Sequence, residues 1–389
     1  MDTPTDHSDC ANSLVAGGNN VDVAISMSED RLLEAARRGD ETAFAGLVKP
    51  YERELHAHCY RMLGSMFDAD DALQDAELRA WKALKRFEGR SSLRSWLYTI
   101  ATNTCLTQIQ RRPKRVLPVD YGPATDPFTG PGQPVTETVW LEPYPDTELE
   151  DGLLGPEARY EQRESVELAF IAALQNLPAT QRAVLILREV LGFSAKEVAE
   201  ALDTTVASVN SALQRARASI EERVGDQSQQ ETLRTLGDDE IEEVVKAYVD
   251  AWERNDIEAV VALLTEDAAI SMPPLASWFG PREQFEDFLR RHPMSGQISW
   301  KMAITTANGQ PAFGAYAWDP IEQAYMAFAL NVLTFRGDRI SDVVAFAVRE
   351  IDAPREEDYH RWDTAGTDAT RLRNTFERFG LPDRIQSVA

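Results

Sequence analysis

Apolar residues recur at three- and four-residue steps in 29–115 and again in 165–223, and near-continuous apolar runs follow from about 268. The first pattern predicts helices. Residues 29–38 form a short one ended by Gly39. Phe44, Leu47, Val48, Tyr51, Leu55, Cys59 and Met62 mark a longer helical stretch from Asp40 to Gly64, kinked at Pro50. Asp68 is expected to cap the next helix, whose buried side is Leu73, Ala76, Ala80, Trp81 and Leu84. Trp96, Leu97, Ile100 and Ala101 favour burial on a helix from Leu93 to about Gln110. Three short helices follow near Ala179–Arg223. The first carries Val184, Leu185, Leu187 and Leu191 and stops at Gly192. The second opens with a capping box, Ser194 with Glu197, and breaks at Asp203-Thr204. The third aligns Val206, Val209, Leu213, Ala216 and Ile220 on one stripe. Its other face, Ala207, Ser208, Ser211, Gln214 and Arg215, is small or hydrogen-bonding, as a helix in a major groove requires. This spacing reads as a helix-turn-helix, a motif that also occurs in bundles that touch no DNA, so its context must decide.

From Asp238 the chain changes character. Ile241, Val244, Val245, Tyr248 and Trp252 mark one helix; Val260, Val261 and Leu264 mark another. Strand-like runs follow at 268–272, 298–306, 312–318, 324–335 and 340–348, with a helix at 281–291. Asn308-Gly309 and Gly337-Asp338 supply hairpin turns. Helices followed by strands predict an α+β domain with a curved antiparallel sheet. A last helix is expected near 369–379, stopped by Gly380 and Pro382 and packing back on the domain before it or on the helical part.

Composition narrows the choice little. The 389 residues, 43% hydrophobic and 27% charged, suit a soluble protein of two or three domains. There is no run of membrane-spanning length and no signal-peptide pattern, so the expected compartment is the cytoplasm, with no membrane partner. Cys10, Cys59 and Cys105 suggest no disulfide framework. His56, His58 and Cys59 diverge around a helix axis, so neither a metal nor a cofactor is expected. The net charge of −24 is awkward for a nucleic-acid binder. Its distribution matters more: Arg111, Arg112, Lys114 and Arg115 form a dense basic cluster, whereas 120–164 is acidic. Asp70, Asp71, Gln74, Asp75 and Leu78 make an acidic stripe around one apolar residue, which is either a solvated face or a dock for a basic protein surface.

Two segments then carry a specific resemblance. "DADDALQDAELRAWKAL" with "FEGRSSLRSWLYTIATNTCLTQIQRR" resembles region 2 of the extracytoplasmic-function (ECF) group of sigma-70 factors. "LPATQRAVLILREVLGFSAKEVAEALDTTVASVNSALQRAR" resembles region 4 of the same group. The order is right, and an acidic, Pro/Gly-rich linker joins them that is expected to be largely extended. The resemblance implies a sigma factor that binds core RNA polymerase and promoter DNA. Asp70, Asp71, Gln74, Asp75 and Leu78 would meet the clamp helices of the largest subunit, and region 4 the flap of the second. Arg90, Ser91, Ser92, Arg94, Trp96, Asn103, Arg111, Arg112, Lys114 and Arg115 would open and hold the −10 element. Lys196, Ser208, Asn210, Ser211, Gln214, Arg215 and Arg217 would read the −35 element as duplex. Many ECF factors carry Lys or Arg where this chain has Asn210 and Ala212, which predicts fewer phosphate contacts and a shallower salt dependence for region 4.

The C-terminal order of elements is similar to SnoaL-like members of the NTF2-like superfamily, which form a cone around a pocket. Trp252, Trp278, Trp300, Tyr316 and Tyr325 are the candidate lining, for an unknown small ligand or protein. Asp250, Glu253 and Asp256 do not converge with them on a recognisable acid/base set, so no catalytic residue is expected. The expected organisation is a disordered 1–27, region 2 at 28–115, linker 116–164, region 4 at 165–225, linker 226–237, the cone at 238–351 and a tail at 352–389. Two other readings compete: a helix-turn-helix regulator with a ligand-binding domain, and a bifunctional SnoaL-like enzyme.

Overall fold

The computed structural model describes residues 29–132, 135, 140–149, 162–223, 228–348 and 369–386. The expectations for 1–27, for Cys10, for part of the 116–164 linker and for about half of the 352–389 tail lie outside them.

The first helical body is built from α1 (29–37), α2 (Glu41–Val48), α3 (Glu52–Leu63), α4 (Met66–Ala83) and α5 (Leu93–Ile109). A single 3-10 turn at Lys49–Tyr51, holding Pro50, separates α2 from α3, because proline cannot supply the amide that a continuous helix needs. Gly64 ends α3 in the left-handed conformation, φ 69°. The cap of α4 is Ser65, whose hydroxyl accepts from the Asp68 amide, not Asp68 as expected. Asp68 instead turns inward to Arg112 and Arg115. Two arginines, Arg115 buried and Arg112 exposed, repay more than an amide at the helix end would.

The linker is not a loose spacer where it is described. It makes a short turn, α6 (Pro118–Tyr121), and Val116 bridges Trp140 in parallel. Trp140, Leu141, Tyr144 and Leu149 are buried. Apolar residues in a Pro-rich stretch thus work as anchors. The second helical body follows: α7 (162–164), α8 (Leu168–Asn176), α9 (Ala179–Leu185), α10 (Ala195–Ala201) and α11 (Val206–Glu221). A π-helical turn, Ile186–Val190, extends α9.

The C-terminal domain begins with α12 (Gln229–Leu236), α13 (Asp238–Glu253) and α14 (Ile257–Ala262). Then come β1 (Leu264–Ser271), β2 (Trp278–Phe279), α15 (Arg282–Arg291), β3 (Trp300–Ala307), β4 (Gln310–Asp319), β5 (Ala324–Arg336) and β6 (Arg339–Ala347). The strand order is β2-β1-β6-β5-β4-β3. The sheet is mixed rather than wholly antiparallel, because β1 runs parallel to β6. A parallel pair needs a long connection, and here it is supplied by β2, α15 and the β3–β5 meander.

Both faces of this sheet are covered, which is why β4 and β5 read as continuous apolar runs. Phe313, Ala315 and Ala317 face a core shared with Tyr248, Trp252 and Phe285. Ala312 and Tyr316 belong to the core that also holds both helical bodies. The tail lies on that second face. Phe376 of α16 (Ala369–Arg378), Phe379 and Leu381 are buried, and β7 (Arg384–Gln386) pairs Ala324–Met326 of β5. Gly314 makes room for it: a Cβ there would stand 2.8 Å from a Leu381 methyl and 3.0 Å from the Phe376 ring.

Candidate nucleic-acid interface

The helix-turn-helix is assembled as its caps dictate. Ser194 Oγ accepts from the Glu197 amide at 3.2 Å, and the Ser194 amide donates to the Glu197 carboxylate at 2.8 Å. Those bonds hold the Glu197 carboxyl below its usual range. Asp203 takes a positive φ of 48° in the turn. Thr205 caps α11. Val209, Leu213 and Ala216 are buried, but Val206 is 44% exposed, because it lies in the first turn and overhangs the core. Lys196, Ser208, Asn210, Ser211, Gln214, Arg215 and Arg217 are all exposed. Arg217 is paired with Glu189 at 2.8 Å. Ala212 is only 6% exposed, so of the two positions where charge is missing only Asn210 faces solvent.

In the first helical body the acidic stripe is on the surface. Asp71, Gln74 and Asp75 are exposed, and Leu78 is 52% exposed, a large apolar side chain in water. Asp70 differs from its neighbours. It bonds His56 at 3.0 Å and Arg378 of the tail at 2.7 Å. Burial would raise its pKa, yet His56 and Arg378 outweigh that and hold it below the usual carboxylate range.

The basic and aromatic residues are divided. Arg90, Ser91 and Ser92 are exposed in the α4–α5 connection, with Ser92 capping α5. Arg94 forks onto Glu54 at 2.8–3.1 Å and lies over the Tyr98 and Phe193 rings. Half-buried Trp96 packs on Phe87, centroids 4.9 Å apart. Of the terminal cluster, Arg111, Arg112 and Lys114 are exposed but Arg115 is buried. Arg112 and Arg115 share Asp68, and Arg115 also donates to the Trp140 carbonyl. Although burial pushes Asp68 upward, the two arginines hold its carboxyl below the usual range. Arg115 is therefore not the open nucleic-acid contact that its place in a basic run suggested.

The two helical bodies meet across these same faces. Asn103 donates to the Ala201 carbonyl of α10 at 3.3 Å, and the Ser95 hydroxyl reaches Glu197 at 3.4 Å. Arg182 of α9 donates to the Met62 and Leu177 carbonyls and to Gln175.

The five aromatic residues expected to line one pocket do not meet. Trp252 and Trp300 touch edge to face at 6.0 Å inside the cone. Tyr316 is on the opposite sheet face, against Phe376, with its hydroxyl on the Pro382 carbonyl. Tyr325 packs on Trp318 and bonds Ser299, and the Trp278 indole donates to the Gly122 carbonyl of the linker. Strand alternation separates them: Tyr316 and Ala317 are neighbours in sequence but point to opposite faces. His56 and His58 of α3 have separate partners. His56 bonds Tyr144 and Asp70, and His58 bonds Thr102. Burial, with Arg61 and Arg94 nearby, pulls His58 down to about 3. Among the described residues no cluster of three such groups could hold a metal.

Sequence reasoning missed a junction at the β3–β4 hairpin. Asn308 has 0% exposure. Its Nδ2 donates to the Tyr60 hydroxyl at 2.8 Å and the Val166 carbonyl at 2.7 Å; its Oδ1 accepts from the Tyr144 amide at 2.8 Å. The adjacent Gly309 amide donates to Asp146, and Gln310 Oε1 accepts from the Leu168 amide at 3.0 Å. Glu167 accepts from the Gln229 and Gln230 amides. Burial raises Glu167 to about 7, while those two amides pull it back and Glu164 pushes it further up. One hairpin tip thus joins the first body, the linker and the start of the second.

Three families match the chain in sequence. Sigma-70 region 2 covers residues 47–115, Sigma-70 region 4 covers 167–220 and the SnoaL-like domain covers 245–343. The chain is 41% identical to the ECF RNA polymerase sigma factor SigG of Mycobacterium tuberculosis, over 94% of this chain and 90% of that one. It is 27% identical to the ECF sigma factor SigW of Bacillus subtilis, over 52% of this chain and 100% of that one. In structure it is similar to the crystal structure of the M. tuberculosis ECF sigma factor SigJ, with TM-score 0.49 and 20% identity, covering 77% and 96% of the two chains.

Proposed function

Because the chain belongs to the ECF group of RNA polymerase sigma factors, we propose that its two helical regions read a promoter only after they separate. The C-terminal SnoaL-like domain and tail hold them together until then. As a sigma factor the chain works with core RNA polymerase and promoter DNA in transcription initiation.

The observation that carries this reading is the contact of α5 with α10, Asn103 on the Ala201 carbonyl. Asn103 is assigned to the −10 element and α10–α11 to the −35 element. The names of those elements place them about 25 base pairs apart, roughly 85 Å of duplex at about 3.4 Å per pair. Two readers in direct contact cannot reach both.

Residue roles follow. Asp71, Gln74, Asp75 and Leu78 dock on the clamp helices of the largest subunit, and Asp70 joins them once Arg378 lets go. Region 4 meets the flap. Arg90, Ser91, Ser92, Arg94, Trp96, Asn103, Arg111, Arg112 and Lys114 receive the opened −10 strand through stacking and phosphate contacts. Ser208, Asn210, Ser211, Gln214, Arg215, Arg217 and Lys196 face the −35 duplex. The C-terminal domain acts by contact rather than catalysis, since its aromatic residues share no site with an acid/base pair.

The experiment is promoter-dependent transcription with core polymerase, comparing the native chain with Asn308→Ala and Arg378→Glu. Both variants should bind core more tightly and initiate more often. If none of the three proteins yields a promoter-dependent transcript, the sigma reading fails. If all three initiate equally, the restraint by the C-terminal domain fails and the sigma reading stands.

A further inference from the structure

Between the end of α5 and the α8–α9 corner lies a cleft of about 420 Å³, within the size range of small-molecule sites. One wall comes from region 2 and the other from region 4. Ile109, Pro113, Leu177 and Pro178 give it an apolar side. Arg112, Lys114, Arg115 and Arg182 also line it, with Asp68 as the one carboxylate among the lining residues.

The charges there do not balance. Asp68 is held by both Arg112 and Arg115, and Glu142, outside the lining, stands 3.7 Å from Arg115. Lys114 donates to the neutral amide of Asn176, and the carboxylate that acts on it, Asp120, is 3.5 Å from Arg223. Arg182 is 4% exposed, and all its hydrogen bonds end on uncharged oxygens: three backbone carbonyls and the Gln175 amide. Its Nε has no partner at all. A buried guanidinium without a carboxylate is costly. Burial pulls Arg182 down to about 10, and burial, with Arg223 and Arg182, lowers Lys114 as well. In a chain of net charge −24, this cleft is short of an anion.

We propose that the cleft binds a nucleotide-sized phosphorylated ligand, its phosphates beside Lys114 and Arg182 and its ring against Ile109, Pro113 and Leu177. Because the walls belong to different regions, such a ligand fits only the closed arrangement and stabilises it by mass action. It also occupies Lys114 and Arg112, two cations assigned to promoter phosphate, so ligand and promoter exclude each other. Binding itself requires no polymerase and stands or falls independently of the promoter roles.

The test is calorimetry on the full chain at low salt with GDP, ADP, pyrophosphate and guanosine. Either nucleotide should bind, pyrophosphate more weakly, and guanosine not measurably. Lys114 is exposed, so Lys114→Gln leaves the fold intact and should weaken nucleotide binding about tenfold, the scale of one charged hydrogen bond. Lys246→Gln, on the exposed side of α13, should not change it. Arg182→Gln should abolish binding; a circular-dichroism spectrum tells loss of the site from loss of the fold. No heat from any phosphate compound up to about 1 mM, where affinity would be only ~4 kcal/mol, overturns the proposal. Equal binding by Lys114→Gln and Lys246→Gln overturns it too, as does guanosine binding as well as GDP.

Discussion

Two of the joints between the helical bodies are built from different chemistry. The hairpin joint is hydrogen-bonded and satisfied. Asn308 spends both its amide oxygen and its amide nitrogen on partners in the first body, the linker and the second body. The joint between regions 2 and 4 is charged and unbalanced, with Arg182 buried among carbonyls and one nitrogen unpartnered. A satisfied polar network fixes one geometry, whereas a buried charge without its counter-ion stores a reason to separate. In the proposed mechanism the first joint keeps closed what the second is ready to open.

The largest expected effect is on the satisfied joint. Asn308→Ala leaves the Tyr60 hydroxyl, the Val166 carbonyl and the Tyr144 amide without this partner at a buried position. It should destabilise the closed form by about 2–4 kcal/mol, measured as faster hydrogen exchange at 144 and 166–168. Unchanged protection there would mean that the hairpin is only seated, not locked.

A second effect is acid-base. Glu167 is raised in the closed state to about 7 from an ordinary value of 4.5. A raised carboxyl contributes stability that is fully present below the ordinary value and is lost as pH rises through the folded one. The closed form should therefore weaken between about pH 4.5 and pH 7, and Glu167→Gln should flatten that slope. Denaturant midpoints across this range check it; a slope surviving in the variant would assign it elsewhere.

Arg378→Glu comes next. It breaks the ion pairs with Asp70 at 2.7 Å and Glu148 at 3.2 Å. The Asp70 side chain is 45% exposed, so the loss should be about 1 kcal/mol, screened by salt. Tighter core binding by the variant, most marked at low salt, is the readout.

The smallest effect tests the reading face. Asn210→Lys adds one exposed cation to α11 and should steepen the salt dependence of promoter binding by a slope of about 0.9. Ala212→Lys, at a buried position, should not steepen it and should instead destabilise region 4.

Much of this was legible in the sequence, for a physical reason. Helical periodicity and caps act within a few residues, so Ser194 with Glu197, Gly64, and the α5 and α11 stripes could be read directly. Region 2, region 4 and the SnoaL-like domain were likewise visible in the order of motifs. What could not be read depends on partners distant in sequence. Asn308-Gly309 looks like any exposed hairpin turn until Tyr60, 248 residues away, accepts its amide. Arg115 looks like one more cation in a basic run until Asp68 claims it. The direction of β1 and the sheet face of Tyr316 depend on which connections cross the domain, and a strand's own alternation does not state that.

Gly314 turns this architecture into a genetic expectation. The tail rests on a position with no side chain, and the smallest addition there meets Leu381 and Phe376. One added carbon would lift the segment that carries Arg378, while leaving the promoter-reading helices and the hairpin junction untouched in sequence. If the C-terminal domain restrains the two regions as proposed, a selection for raised promoter-dependent transcription should return Gly314→Ala or Gly314→Ser, outside regions 2 and 4, as uncoupled alleles rather than damaged ones.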